Sequence, residues 1–188
     1  MAVEVELKAW VTNPDELRER LRQLGTPQRR YVKEDRYFGT GSTPEDARYR
    51  LRFDDNRWTC TFKKKEIHDG IEENHETEFD VSDADAFEYF LASLGLQCII
   101  TKRKEGESFR VDGVLAELSY VDHVGWFVEL EVILSDETQP NAVADARAAL
   151  MQLLQRLGLT ADSLESRSYN RMIYEATSQG HVVSRDSV

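Results

Sequence analysis

Strict alternation opens the chain. Over residues 3–11, Val3, Val5 and Leu7 fall on one side and Glu4, Glu6 and Lys8 on the other, the period-two signature of a strand. Asn13 then supplies a cap and Pro14 suits a first helical position. Leu17, Leu21 and Leu24 recur at helical spacing until Gly25, which predicts a short amphipathic helix. Extended patterns return over residues 30–38 and, past a loop at 40–44, over residues 47–53. In the second of these, Tyr49, Leu51 and Phe53 share one face and Arg48, Arg50 and Arg52 the other. Residues 57–65 split in the same way, with Trp58, Cys60 and Phe62 opposing Thr59, Thr61, Lys63 and Lys65. After a polar loop at 66–73, residues 74–81 set Glu76 and Glu78 against His75, Thr77 and Phe79.

The second half repeats the theme. Ser82 and Asp85 have capping-box spacing, and Phe87, Phe90, Leu91 and Leu94 predict an amphipathic helix closed by Gly95. Residues 97–104 read as a strand with Lys102 and Lys104 on one face. Residues 107–111 and 114–120 read as a hairpin across Asp112-Gly113, with Glu117 and Ser119 on one face of its second arm and Arg110 within reach of that face. Residues 126–134 place Val128, Leu130, Val132 and Leu134 opposite Glu129 and Glu131. A long helix from about Asn141 carries Val143, Ala146, Leu150, Leu153, Leu154 and Leu157 and ends at Gly158. A short helix at 169–176 follows, and the aperiodic residues 177–188 predict a mobile tail. No linker and no repeat divides the chain, so residues 1–176 are expected to form one domain.

The polar faces of six of these strands carry ionised groups of both signs. A half-exposed antiparallel sheet explains any one of them. The set does not fit that explanation, because Arg48, Arg50, Arg52, Lys63, Lys65, Lys102 and Lys104 share such faces with Glu4, Glu6, Glu76, Glu78, Glu129 and Glu131. About eight antiparallel strands can close into a barrel, which removes exposed edges. Apolar faces turned outward would give the amphipathic helices something to cover, and the charges would then converge on the axis. The expected fold is therefore α+β: a closed eight-stranded antiparallel β-barrel with a charged lumen and helices packed outside. Such a lumen must stay wet, pair its charges, or hold a ligand. A polyanion with metal ions satisfies it best, since Arg and Lys grip phosphate oxygens and carboxylates suit Mg2+ or Mn2+.

Composition narrows the function classes. The 188 residues carry a formal charge of -11, which argues against a general nucleic-acid binder. No apolar run reaches the roughly 20 residues of a membrane helix, so no membrane partner and a cytoplasmic location are expected. Cys60 and Cys98 lack zinc-site spacing and are read as reduced core residues, and the four histidines do not pair at ligand spacing. Tyr37 and Phe38 are read as packing residues, while Arg48 and Lys65 are divided between binding and plain solvation.

At this point the sequence resembles the CYTH family, or triphosphate tunnel metalloenzymes. Glu4-Val5-Glu6-Leu7-Lys8 matches an E-x-E-x-K signature. Asp35-Arg36-Tyr37-Phe38, Arg50 with Arg52, Thr61-Phe62-Lys63, Glu76 with Glu78, Lys102-Arg103-Lys104, and Gly125 to Glu131 resemble the further motifs in family order. The D-x-Y-F and late acidic features are most similar to class IV adenylyl cyclases. Three positions differ: Lys104 stands where Arg is usual, Ser119 where cyclases use Asp, and Asn74-His75 where an Arg precedes the acidic pair. The resemblance implies an eight-stranded barrel enzyme dependent on Mg2+ or Mn2+. Glu4, Glu6, Glu129 and Glu131 would hold metal, with Glu76, Glu78 and Glu117 as additional acids. Lys8, Arg50, Arg52, Lys63, Lys102 and Lys104 would bind a small-molecule triphosphate, and Glu6, Lys8, Glu129 and Glu131 would serve catalysis. It implies conversion of ATP to cyclic AMP and pyrophosphate. Alternatives are hydrolysis of inorganic, nucleoside or thiamine triphosphate, or a non-catalytic polyphosphate- or nucleotide-binding module. A homodimer is compatible with all of these.

Overall fold

The computed structural model describes residues 3–68, 71–134 and 141–178, with side chains described except at 3, 63–68 and 71–76. The elements run β1 (Val3–Trp10), α1 (Pro14–Leu24), β2 (Thr26–Gly39), β3 (Ala47–Asp54), β4 (Arg57–His68), β5 (Ile71–Val81), α2 (Ala84–Ser93), β6 (Gln97–Val111), β7 (Val114–Val121), β8 (Gly125–Leu134), α3 (Ala142–Arg156) and α4 (Tyr169–Ser178). The strands form one antiparallel sheet in the order β1-β8-β7-β6-β2-β3-β4-β5.

The sheet curls but does not close, which corrects the expected barrel: β1 and β5 remain its two edges. The outer edge of β1 is already occupied near its end. Ala9 bridges Leu164, the Glu165 N–H donates to the Lys8 carbonyl at 2.9 Å, and the Lys8 ammonium donates to the Arg167 carbonyl. Residues 164–167 have no alternating pattern, so nothing in the sequence announces them as a cover for an edge.

The outward-facing apolar residues do what the pattern requires. Val5 and Ala9 of β1, Ala116 and Leu118 of β7 and Val128 and Leu130 of β8 pack beneath Leu17 and Leu21 of α1 and Leu150, Leu153 and Leu154 of α3. Leu51 and Cys60 pack with Ala84 and Leu91 of α2. The fourth helix departs from the expectation of helices only on the outside. Tyr169, Met172 and Ile173 of α4 pack with Ile100, Val121 and Phe127, residues of the same strand faces that carry Lys102, Glu117 and Glu129. One end of the inner surface is therefore apolar and filled.

Several boundaries shift for local reasons. β6 is one strand of 15 residues, not two. Gly106 continues it because a Cβ there would meet the Leu118 carbonyl oxygen at 2.3 Å, so β7 needs the missing side chain to approach. The Asp112-Gly113 turn takes positive φ at both residues, as a tight hairpin demands. Asp55 and Asn56 do the same between β3 and β4 without glycine, which short polar side chains tolerate. Asp83, not Ser82, caps α2, accepting from the Ala86 N–H at 3.0 Å. Residues 66–68 and 71–73 are strand where a loop was expected. Thr177 and Ser178 belong to α4, and the rest of the expected tail, 179–188, lies outside the described residues. Cys98 is exposed, unlike the buried Cys60. No helix among the described residues is long and apolar enough to cross a membrane.

Candidate active site

The concave face of the sheet encloses a cavity of about 640 Å3, within the range of small-molecule pockets. Alternation on β1, β7 and β8 turns Glu4, Glu6, Glu117, Glu129 and Glu131 into it, and register completes the arrangement, with Glu6 opposite Glu131, Lys8 opposite Glu129 and Glu117 opposite Glu129. This is an acidic wall. Beyond β7 the sheet continues through β6, β2 and β3, which contribute Lys102, Lys104, Lys33, Arg48, Arg50 and Arg52, and β1 adds Lys8.

Two carboxylates organise the cations. Asp35, with no exposed side-chain surface, accepts from Arg52 at 2.6 and 2.9 Å and from Lys102 at 2.8 Å. The Lys102 ammonium also reaches the Tyr37 hydroxyl at 3.2 Å. Burial opposes the Asp35 charge more than any other single influence. Lys102, Arg52 and Arg50 together overcome it and hold this carboxyl well below the usual carboxylate range. Glu117 accepts from Lys104 and from Lys33, each at 2.9 Å. Here too burial is outweighed by the lysines, and the carboxyl falls to about 2. Lys104 also donates to Glu129. Burial works against the charge of both partners, yet their mutual attraction keeps Glu129 below and Lys104 well above the ordinary values.

For Glu6 and Glu131 the cations, Lys104 and Lys33 respectively, do not outweigh burial and the neighbouring carboxylates. Burial, then Glu129 and Glu4, push Glu6 up to about 8, and burial, then Glu4, push Glu131 up to about 7. Glu6 is preferentially protonated in the folded state. That advantage is fully present below the ordinary value of 4.5 and is lost as pH rises through about 8. The Glu6→Gln variant, which cannot ionise, is therefore expected to gain stability relative to the parent between pH 5 and pH 8.5. Urea unfolding in EDTA at both pH values measures this, and an unchanged difference would refute it.

A family model, the CYTH domain, matches residues 2–169. The chain belongs to the CYTH family. A Methanocaldococcus jannaschii protein provisionally named an adenylate cyclase is 25% identical over 171 residues, which is 89% of this chain and 96% of that one. The structure of a conserved hypothetical protein of Pyrococcus furiosus superposes with a TM-score of 0.74 at 26% identity, covering 91% of this chain and all of that one. A Hippeastrum protein provisionally called an adenylyl cyclase, for which a dominant triphosphatase activity is described, shares the fold at TM-score 0.62 and 16% identity, with 97% and 98% of the two chains covered. CYTH members are enzymes, and their tunnel metalloenzymes depend on metal in general.

The donor set of the acidic wall suits a hard divalent cation in kind, because its carboxylates raise one another's proton affinity and a cation would relieve them. As the side chains stand, no three acids among the described residues are gathered as a ligand set, so holding an ion would require Glu4, Glu6, Glu129 and Glu131 to turn toward one another. Of the other residues expected at this CYTH site, Lys8, Arg50, Arg52, Lys102, Lys104 and Glu117 line the cavity. Lys63 and Glu76 carry side chains outside the described set, as does Lys65. Glu78 is exposed and contributes at one remove, accepting at 3.0 Å from Thr61, which itself accepts from Arg50 at 3.0 Å. Arg110 turns to the Gly113 carbonyl instead of the cavity. Tyr37 packs against the apolar cluster around α4, as expected, and also lines the cavity, whereas Phe38 is core. Lys33 and Tyr169 were missed. Lys33 was legible, since Tyr31, Lys33, Asp35 and Tyr37 alternate onto one face; Tyr169 was not, because its place depends on where α4 docks.

Proposed function

We propose that this chain binds a triphosphate along the cavity and converts it with the help of Mg2+ or Mn2+. The observation that supports the reading is the sorting of charge onto different strands around one cavity. Basic side chains would grip the phosphate chain, and carboxylates would hold metal. Arg50 offers a specific handle, because its Nε is buried with no hydrogen-bond partner and a buried unmet donor favours an arriving acceptor. Arg52 and Lys102, held by Asp35, are pre-aligned and need little reordering on binding. Glu4, Glu6, Glu129 and Glu131 would bind the ion, which when present neutralises phosphate charge and polarises the bond that breaks. Phosphoryl transfer needs mainly such positioning and charge compensation.

The reaction we favour is attack by the ribose 3'-hydroxyl of ATP on the α-phosphorus, yielding cyclic AMP and pyrophosphate, in line with the name of the Methanocaldococcus relative. A second reading, hydrolysis of the terminal phosphate, is favoured by one residue. Ser119, where cyclases were expected to use Asp, is fully buried and its hydroxyl has no partner, so it offers no carboxylate to the cavity. ATP, GTP, thiamine triphosphate and inorganic triphosphate, each with Mg2+ or Mn2+, distinguish the readings when cyclic nucleotide, pyrophosphate and orthophosphate are quantified separately. Cyclic AMP with equimolar pyrophosphate is the expected result. Orthophosphate alone would replace cyclisation by hydrolysis, and binding without turnover under either metal would leave a non-catalytic module.

A further inference from the structure

Four of the cations that line the cavity fall into two groups, each gathered on one carboxylate. Arg52 and Lys102 meet on Asp35, and Lys33 and Lys104 meet on Glu117. Lys102 and Lys104 lie two residues apart on β6, so the groups are offset by about 7 Å along that strand. Lys33 stands opposite Lys104 in the β2–β6 register. Two ammonium groups directly opposed would repel, and the long lysine stem instead carries the Lys33 ammonium across β6 to Glu117 on β7. The ammonium also lies 4.3 Å from the centre of the Tyr31 ring, and the side chain is only 11% exposed. Glu117 thus carries one charge against two lysines, and although Lys104 is also met by Glu129, Lys33 has no second carboxylate within ion-pairing distance among the described residues.

We propose that Lys33 is a phosphate-binding residue of a second anion subsite, and that this subsite makes the cavity favour a triphosphate over a shorter phosphate chain. The inference rests on the reading of the cavity as a triphosphate site. A pyrophosphate satisfies the group on Asp35 alone, whereas a third phosphate group extends to Lys33 and Lys104 and draws them partly from Glu117. The residue therefore sets chain-length preference and need not touch the bond that breaks.

Calorimetric titration with inorganic triphosphate and with pyrophosphate, in EDTA and at fixed ionic strength, tests this on the parent protein, Lys33→Gln and Lys33→Arg. Gln keeps a donor for Glu117 without the charge, and Arg keeps the charge. The parent is expected to bind triphosphate at least about tenfold more tightly than pyrophosphate, as one added charge-assisted contact allows. Lys33→Gln should lose about tenfold for triphosphate and little for pyrophosphate, and Lys33→Arg should retain the preference. Equal weakening for both anions would reduce Lys33 to a contributor to the general field and overturn the proposal, as would no weakening for either. If Lys33→Gln does not fold, Lys33→Arg decides: a lost preference in a variant that keeps the charge overturns the proposal, and a retained one supports it. A parent protein that binds neither anion, in EDTA or with Mg2+ restored, would bring down the triphosphate reading itself, an outcome separable from failure of the Lys33 role alone.

Discussion

Replacement of Asp35 by alanine is expected to remove about 3–5 kcal/mol of folding stability, the usual consequence of stripping a buried ion cluster of one sign. Asp35 is 1% exposed and is the ion-pair partner of both Arg52 and Lys102, the latter 7% exposed. Without it these two cations face each other in a site with little water. Asp35→Asn should cost less, because its carbonyl still accepts from one of them. The dependence on pH follows from the sign of the shift. The carboxyl is depressed in the folded state, so its stabilisation is present above about pH 4 and is lost as pH falls from there toward the folded value. Urea unfolding at pH 7 and pH 3 should show the gap between parent and Asp35→Ala narrowing in acid. A gap of the same size at both values would mean that the alanine acts through packing and not through charge.

The second large effect concerns rate. Glu129→Gln is expected to lower kcat by about 10²-fold or more while changing triphosphate affinity less than tenfold. Glu129, like Glu117, is held ionised by Lys104, and it lies between Lys8 and Glu117 in register. A glutamine preserves its shape, and Lys104 keeps Glu117 as a partner, so the fold should survive. The charge available to a metal ion does not. Single-turnover rates and equilibrium titration on the same preparation separate the two quantities, and a loss confined to affinity would show that the carboxylate serves binding only.

Most of the concave face was legible because strand alternation is a local property. Once Glu4, Glu6 and Lys8 were seen to share a side, and likewise Arg50 with Arg52 and Glu129 with Glu131, their convergence needed only a curved sheet with helices behind it. Gly125 to Glu131 and the other family motifs then agreed with that face assignment. What remained hidden depends on chain segments without a period of their own. Closure was the natural extrapolation from eight strands, and nothing in the pattern of residues 164–167 said that they would take up the Lys8–Ala9 end of the β1 edge. The short helix expected at 169–176 carried no sign that its partners would be Ile100 and Phe127 on the inner surface instead of the outer one. Lys33 was as legible as Glu4 or Arg50, since it alternates with Tyr31, Asp35 and Tyr37 on one strand. The strands expected at 97–104 and 107–111 are one, and only the closeness of the β7 backbone shows why it runs through Gly106.

The pairing of β1 also bears on how the protein is made. Val5 lies opposite Val132, and Ala9 waits further for Leu164. At about 5–20 residues per second, on the order of 10 s of synthesis separates the first strand from its neighbour. During that interval an alternating, half-apolar segment emerges from the ribosome without its β8 partner, so shielding of nascent β1 by a holdase would govern the yield of folded protein.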